Sequence, residues 1–538
     1  MNRILAAGVV AGLGAAALSC ADKPRAASPA AGAPDGFDAA QVPEWTRDDF
    51  EFFLHGSMST EVVPERVFKA FRATYPDLFP GDGFAAFGLV ENGDGAPVGL
   101  SRGTAPRLGG LSSYGLNCAS CHVAEIRPAG GGPPVRVIGT TGHFDAEAFF
   151  GAVVVAGWRT ADVENMRRFM DAWIRASDVW DADPTPHDFA TAFDRQRDAV
   201  AAAIAEDPSG GKGVAPGAFQ TIAASDFYLG GGRLLHPVPD LTRSVRAFLK
   251  LFHNMRAALH VPDAPPTKAP PASGPGRNDA FGLLAAALFH SPVEYAPVKY
   301  GVFWNAGARP WVHWDGNTRS PLGRNVLASL GLGAPLVGKK GEINLDLVKR
   351  HTELTQTVRP PKWPWTVDTA AAARGAPIYA AKCASCHDVP ESDARLHDPR
   401  EIGTDPGRAR AFDAAHAELF NRFFREVEIA GFSAPAEAPI RSTGKYWAPS
   451  LDGVWARSPY LHNGSVRTMT DLLTPPESRP KRFRRGSRDY VAEAMGFADA
   501  GTYVFDAASP GNAVGGHAFG TDLDAAGKRD LVEYLKTR

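Results

Sequence analysis

The chain has 538 residues, more than one hydrophobic core usually supports, so it holds two or more domains or one large two-lobed unit. A hydrophobic share of 44% and a charged share of 22% are ordinary for a globular protein, and past the N-terminus no stretch approaches the length of a membrane-spanning helix. Lys+Arg 57 against Asp+Glu 59 leaves a formal net charge of −2 with no long run of one sign, which removes nucleic acid from the candidate partners.

In chain order, "MNRILAAGVVAGLGAAALSC" places Arg3 before an uncharged apolar stretch, which reads as a secretory signal over residues 1–19. The mature protein is therefore expected outside the cytoplasm, in the periplasm or cell envelope, or secreted. "ALSC" resembles a lipoprotein cleavage site, and Cys20 has no obvious disulfide partner, so Cys20 is the candidate lipid anchor, with simple cleavage as the alternative. Residues 20–45, rich in Ala, Pro and Gly, read as a flexible tether.

Next comes "LSRGTAPRLGGLSSYGLNCASCH", whose glycines and proline leave no helical apolar repeat, so a loop-built pocket is expected around Cys118, Cys121 and His122. The pentapeptide CASCH returns unchanged at 383–387, and the two copies take four of the five cysteines. A disulfide across two intervening residues is strained and is usually a redox motif. A zinc site joining both pairs does not require His beside each, and neither does thioredoxin-like chemistry. Covalent haem c uses every letter: Cys118 with Cys121, and Cys383 with Cys386, reach the vinyl groups, while His122 and His387 reach the iron. Two covalently attached haem c groups are the expected cofactors.

Between the motifs, helical periodicity runs over 161–177, 187–206 and 241–260, followed by a proline-rich loop at 261–275; such an excursion can roof a haem and form a substrate cavity. "TVDTAAAARGAPIYAAKCASCH" predicts a helix leading into the second motif, with Pro377 in its last turns. The final "TDLDAAGKRDLVEYLKTR" predicts a helix capped by Asp522 or Asp524 with Leu531, Val532 and Leu535 as its apolar stripe, crossing the first beside the second haem. His517, on the glycine-rich "GNAVGGHAFGTDL", is the candidate sixth ligand there, with Met469 and Met495 as thioether alternatives. His143 and His313 are the histidines to consider at the first haem; the others read as surface or packed residues.

Several stretches together resemble one family, the exported di-haem proteins that include the bacterial rubber oxygenases, themselves similar to bacterial di-haem cytochrome c peroxidases. They are "FFLHGSMSTEVVPE", "PVGLSRGT", "YGLNCASCH", "GPGRNDAF", "WVHWDGNTRSPLGRN", "PPKWPWTVD", "SPYLHNGSVRTMTDLL" and "GNAVGGHAFGTDL". The resemblance implies that Trp314, in "HWDGN", bridges the haems for electrons, that His462 and Asn463 hydrogen-bond locally beside the second haem, and that Arg277 and Asp279 hold a propionate or each other. It departs from the rubber-cleaving members at the slot of Leu330, where they carry an aromatic, and at Arg467, where proline is common. Rubber itself is therefore not implied as the substrate.

The expected fold is mainly α with little β: an N-terminal haem domain over 46–355 with a helical insertion, and a C-terminal cytochrome c domain over 356–538. The expected function is a haem-dependent oxidoreductase, peroxidase-like or dioxygenase-like. Dioxygen or hydrogen peroxide meets the N-terminal haem, and electrons pass through the C-terminal one. Its further partners are an apolar organic substrate or an electron-donor protein. A non-enzymatic electron-transfer cytochrome is the alternative, and an oxygen-sensing module a third reading.

Overall fold

The structure is a computed structural model that describes residues 33–93, 96–105, 108, 111–176, 189–206, 241–258, 261, 272–291, 294–393 and 395–538. The signal, the Cys20 anchor, much of the tether and most of the proline-rich loop lie outside the described residues. No helix among those described is long and apolar enough to cross a membrane.

Helix accounts for 43% and strand for 13%, distributed over several small sheets, so the fold is mixed α/β and the expected mainly α class is corrected. The misreading has a local cause. The glycine-bearing run before the first CASCH forms an antiparallel hairpin of Leu100–Ala105 with Leu111–Leu116, extended by Val63–Pro64 on the other side of the second strand. Glycine is required inside that hairpin: a Cβ at Gly115 would meet Thr60 Oγ1 at 2.7 Å and Ser101 Oγ at 2.8 Å.

The strand Leu111–Leu116 feeds straight into the short helix Cys118–His122, which Asn117 caps through its side-chain oxygen. Chain then leaves His122 as the strand Val123–Pro128. This strand pairs antiparallel with Val135–Ile138 and parallel with Asp489–Val491, which pairs in turn with Gly496–Phe497. The first motif is therefore built on strands, and its sheet includes chain from near the C-terminus.

The second motif is built on helices. Asp368 caps the helix Thr369–Lys382, which contains Pro377 and ends at Cys383; the turn Ala384–His387 follows. The last helix, Ala525–Leu535, is capped by Asp524 and lies across it at Gly375, where a Cβ would overlap the Asp530 carbonyl oxygen. Bare backbone at that crossing lets the two helices approach closely.

Helices also form over Val163–Arg175, Phe189–Arg195, Arg197–Ala205 and Leu241–Ala258, matching the periodic segments between the motifs. Met166, Phe169, Trp173, Val245, Phe248 and Phe252 join the N-terminal aromatic residues in one hydrophobic cluster. A second cluster contains Trp45, Phe53, Ile126, Trp304, Tyr379, Trp455 and Leu531, and both Cys118 and Cys383 pack against it. Shared apolar burial thus connects the surroundings of the two motifs.

Candidate haem sites

At the second motif, His387 Nδ1 lies 2.7 Å from the Pro449 carbonyl oxygen. A carbonyl only accepts, so Nδ1 carries the proton and Nε2 keeps its lone pair, the state an iron ligand needs. The His517 ring centre stands 6.2 Å from that of His387. A metal ion bonded to two imidazoles through bonds of about 2 Å separates the ring centres by roughly 6 Å, so the spacing suits one iron between them. Burial holds His517 neutral, its pKa lowered to about 4.

Backbone geometry delivers His517 to that place. It has φ 49, next to Gly516 at φ 72, where a Cβ would overlap the backbone of Gly403. Arg479 fixes the loop by donating to the carbonyls of Val514, Gly516 and His517, and Asn463 donates to those of Gly511 and Ala513. Met469 and Met495 sit in the hydrophobic cluster, their main chains hydrogen-bonded at 3.2 Å.

At the first motif, Cys118, Cys121 and His122 lie on one helical turn, with Phe303 and Tyr300 beside the imidazole at 5.1 and 6.2 Å between ring centres. Burial lowers the His122 pKa to about 4. Cys118 Sγ is 3.5 Å from Met58 Sδ, a neighbour that the sequence did not single out. All four motif cysteines are free thiols, and no group of three or more His, Cys, Asp or Glu side chains converges among the described residues. That geometry does not fit a zinc cluster formed by the two pairs.

Trp314 donates from Nε1 to the Lys299 carbonyl at 3.0 Å, and its own carbonyl accepts from Trp447 N at 2.9 Å. Trp447 lies two positions before Pro449, the residue that orients His387. Trp314 is thus linked through main chain to the second site, while its neighbour His313 meets Asn317 Oδ1 through Nδ1 at 2.8 Å. No pattern in the sequence pointed to Pro449 or Lys299, because each acts through a backbone carbonyl and any residue type supplies one.

Arg277 is fully buried, with Nη2 on Asn512 Oδ1 and with Nε and Nη1 lacking an acceptor among the described residues. Arg457 is buried with Nε and Nη1 likewise unmatched. Burial depresses both, to about 10 and about 9. Buried guanidinium N–H groups without acceptors are costly, and haem propionates are the kind of anion that suits them, so the residues present fit haem. Asp279 instead caps the helix Ala280–Phe289 and accepts from Ala296 N at 3.0 Å. His462 stacks on Tyr446 with ring centres 4.1 Å apart, and Leu330 lies in an apolar cluster with Phe281 and Phe420.

A family model described as RoxA-like, cytochrome c-like, matches residues 444–484, a segment that contains Pro449, Arg457 and His462. Its match implies covalently bound haem c. Among curated proteins, the chain is 30% identical over 322 residues to the uncharacterized protein y4iM of Sinorhizobium fredii, covering 51% of this chain and 73% of that one. It is 28% identical over 356 residues to the uncharacterized protein y4iJ of the same organism, covering 49% of this chain and 60% of that one.

Proposed function

Because this chain belongs to the RoxA-like cytochrome family, we propose that it is an exported di-haem c-type cytochrome acting as a haem-dependent oxidoreductase. Cys118, Cys121 and His122 hold one haem in a domain over 46–355, and Cys383, Cys386, His387 and His517 hold the other in a domain over 356–538. When bound, haem supplies the one-electron and oxygen chemistry. The chain supplies unequal surroundings for it. The observation that carries this reading is that inequality: His387 and His517 stand 6.2 Å apart as a pair suited to closing an iron on both faces, whereas beside His122 stand Phe303 and Tyr300.

In this division the first site receives dioxygen or hydrogen peroxide, the second passes electrons, and Trp314 connects them. The electrons come from a donor protein or from the organic substrate itself. The alternative, an electron-transfer cytochrome, rests on His313: its Nδ1 is hydrogen-bonded to Asn317 Oδ1 at 2.8 Å, which leaves Nε2 to close the first iron.

Haem content tests the count. Per protein, the wild type is expected to carry two haems and the variant with Cys118→Ala and Cys121→Ala one, by alkaline pyridine spectroscopy. A wild type with one haem, or a variant that retains two, would contradict the assignment.

A further inference from the structure

Residues 360–368, "PPKWPWTVD", bring two partly exposed indoles, Trp363 and Trp365, against two buried rings, Trp455 and Tyr490. All six pairs among the four are in contact range. Ring centres are 4.9 Å apart for Trp363 and Trp365, 5.6 Å for Trp363 and Trp455, and 5.7 Å for Trp365 and Trp455. Tyr490 stands 5.6 Å from Trp365, 6.2 Å from Trp455 and 6.3 Å from Trp363. Packing alone asks only for apolar area, which Leu or Phe supplies; here all four rings are of the types that give up an electron most readily.

The polar edges of the array end on main chain. Trp455 Nε1 donates to the Pro361 carbonyl at 3.0 Å, Trp363 Nε1 to the Thr366 carbonyl at 3.2 Å, and Tyr490 Oη to the Trp455 carbonyl at 2.7 Å. A backbone carbonyl accepts a hydrogen bond but does not take the proton away. An indole that loses an electron there keeps its N–H and is restored by the return of one electron.

Contacts continue inward from Trp455. Gly453 lies against both Pro361 and Trp304: a Cβ there would stand 2.7 Å from Pro361 Cδ and 3.2 Å from Trp304 Cζ2. Trp304 donates from Nε1 to the Asp452 carbonyl at 3.1 Å, and its chain neighbour Phe303 has its ring centre 5.1 Å from that of His122. A series of contacts and covalent bonds therefore runs from the partly exposed pair to the first motif.

We propose that this array is a surface site of electron entry for an aromatic reductant, such as a phenol, and a second way in besides the second haem. The reductant gives an electron to Trp363 or Trp365, and the electron passes through Trp455 and Trp304 toward the first haem site. This rests on the oxidoreductase reading above and names a class of reductant and its place of contact. The phenol gives its hydroxyl proton to solvent and leaves as a phenoxyl radical. With hydrogen peroxide as the oxidant, two phenols supply the two electrons, the O–O bond breaks, and two protons from solvent complete two waters.

The test places a ruthenium polypyridyl photosensitiser on Thr366→Cys, beside Trp365, in the fully reduced, haem-loaded protein. A laser flash with a soluble quencher turns the label into a one-electron oxidant, which draws an electron outward along the same rings, and haem oxidation is followed optically. Trp455→Phe is expected to slow the intramolecular phase by about tenfold or more at unchanged haem content; an equal rate would overturn the relay. In the unlabelled protein, guaiacol is expected to be oxidised at the expense of hydrogen peroxide, about tenfold more slowly when Trp363→Phe and Trp365→Phe are combined. An undiminished rate, or a wild type that consumes peroxide but no guaiacol, would overturn the entry site and leave the oxidoreductase reading standing. A wild type that consumes neither peroxide nor dioxygen would overturn that reading, while the flash, which needs neither, still decides the relay. If Trp455→Phe fails to load haem, the double variant at the partly exposed positions decides in both assays.

Discussion

Burial acts on His143 and His462 alike. His143 lies edge-on to Phe497 at 4.7 Å, and His462 stacks on Tyr446; burial, reinforced by nearby guanidinium groups, lowers each pKa from 6.5 to about 3. The unfolded chain protonates these histidines below about 6.5 while the folded one does not, so the unfolded state binds more protons between about pH 3 and 6.5. Stability is therefore full above that window and falls as pH drops through it, by about 1.4 kcal/mol per pH unit for each such histidine. His462→Phe, which keeps a ring against Tyr446, is expected to flatten the decline by about that slope, measured by urea unfolding at about pH 7 and about pH 5. An unchanged slope would mean that His462 is already charged in the folded protein. At this scale CASCH was the most legible feature, because the proposed covalent haem c would account for each of its letters and its spacing. Pro449 was not legible as the partner of His387: it lies 62 positions on and acts through a backbone carbonyl, which any residue type supplies.

Elements divide along the same line. The helices into and across the second motif were readable from caps and apolar spacing, and Asp524 does cap the last one. Their crossing depends on Gly375, which carries no periodic signal; its role appears only when the Asp530 backbone lies against it. Gly375→Ala is expected to force the helices apart and cost about 1–3 kcal/mol, measured by chemical denaturation of the haem-loaded protein. A variant as stable as the wild type would show that the crossing tolerates a side chain. The strands before Cys118 were unreadable for a physical reason: short, glycine-bearing and rich in serine, they bury Leu100, Ala105, Tyr114 and Leu116 without a regular apolar alternation along the chain.

The whole molecule is a mixed α/β protein in which strands carry one CASCH motif and helices the other. Length and the repeated motif gave no sign of the sheet that joins Val123–Pro128 to Asp489–Val491, since parallel pairing over so long a separation leaves no local trace. Neither did the sequence display the shared hydrophobic cluster on which Cys118 and Cys383 both rest. The proposed division of labour follows from the differing surroundings that these elements create: a histidine pair at the second site, and at the first Phe303 and Tyr300 beside His122. It makes one prediction about ligand binding that does not depend on the identity of the substrate. Carbon monoxide titrated into the fully reduced, haem-loaded protein and followed optically is expected to bind once per two haems, at the first site. Binding of none would make both irons closed and the protein an electron carrier; binding of two would remove His517 as a ligand and with it the inequality on which the account rests.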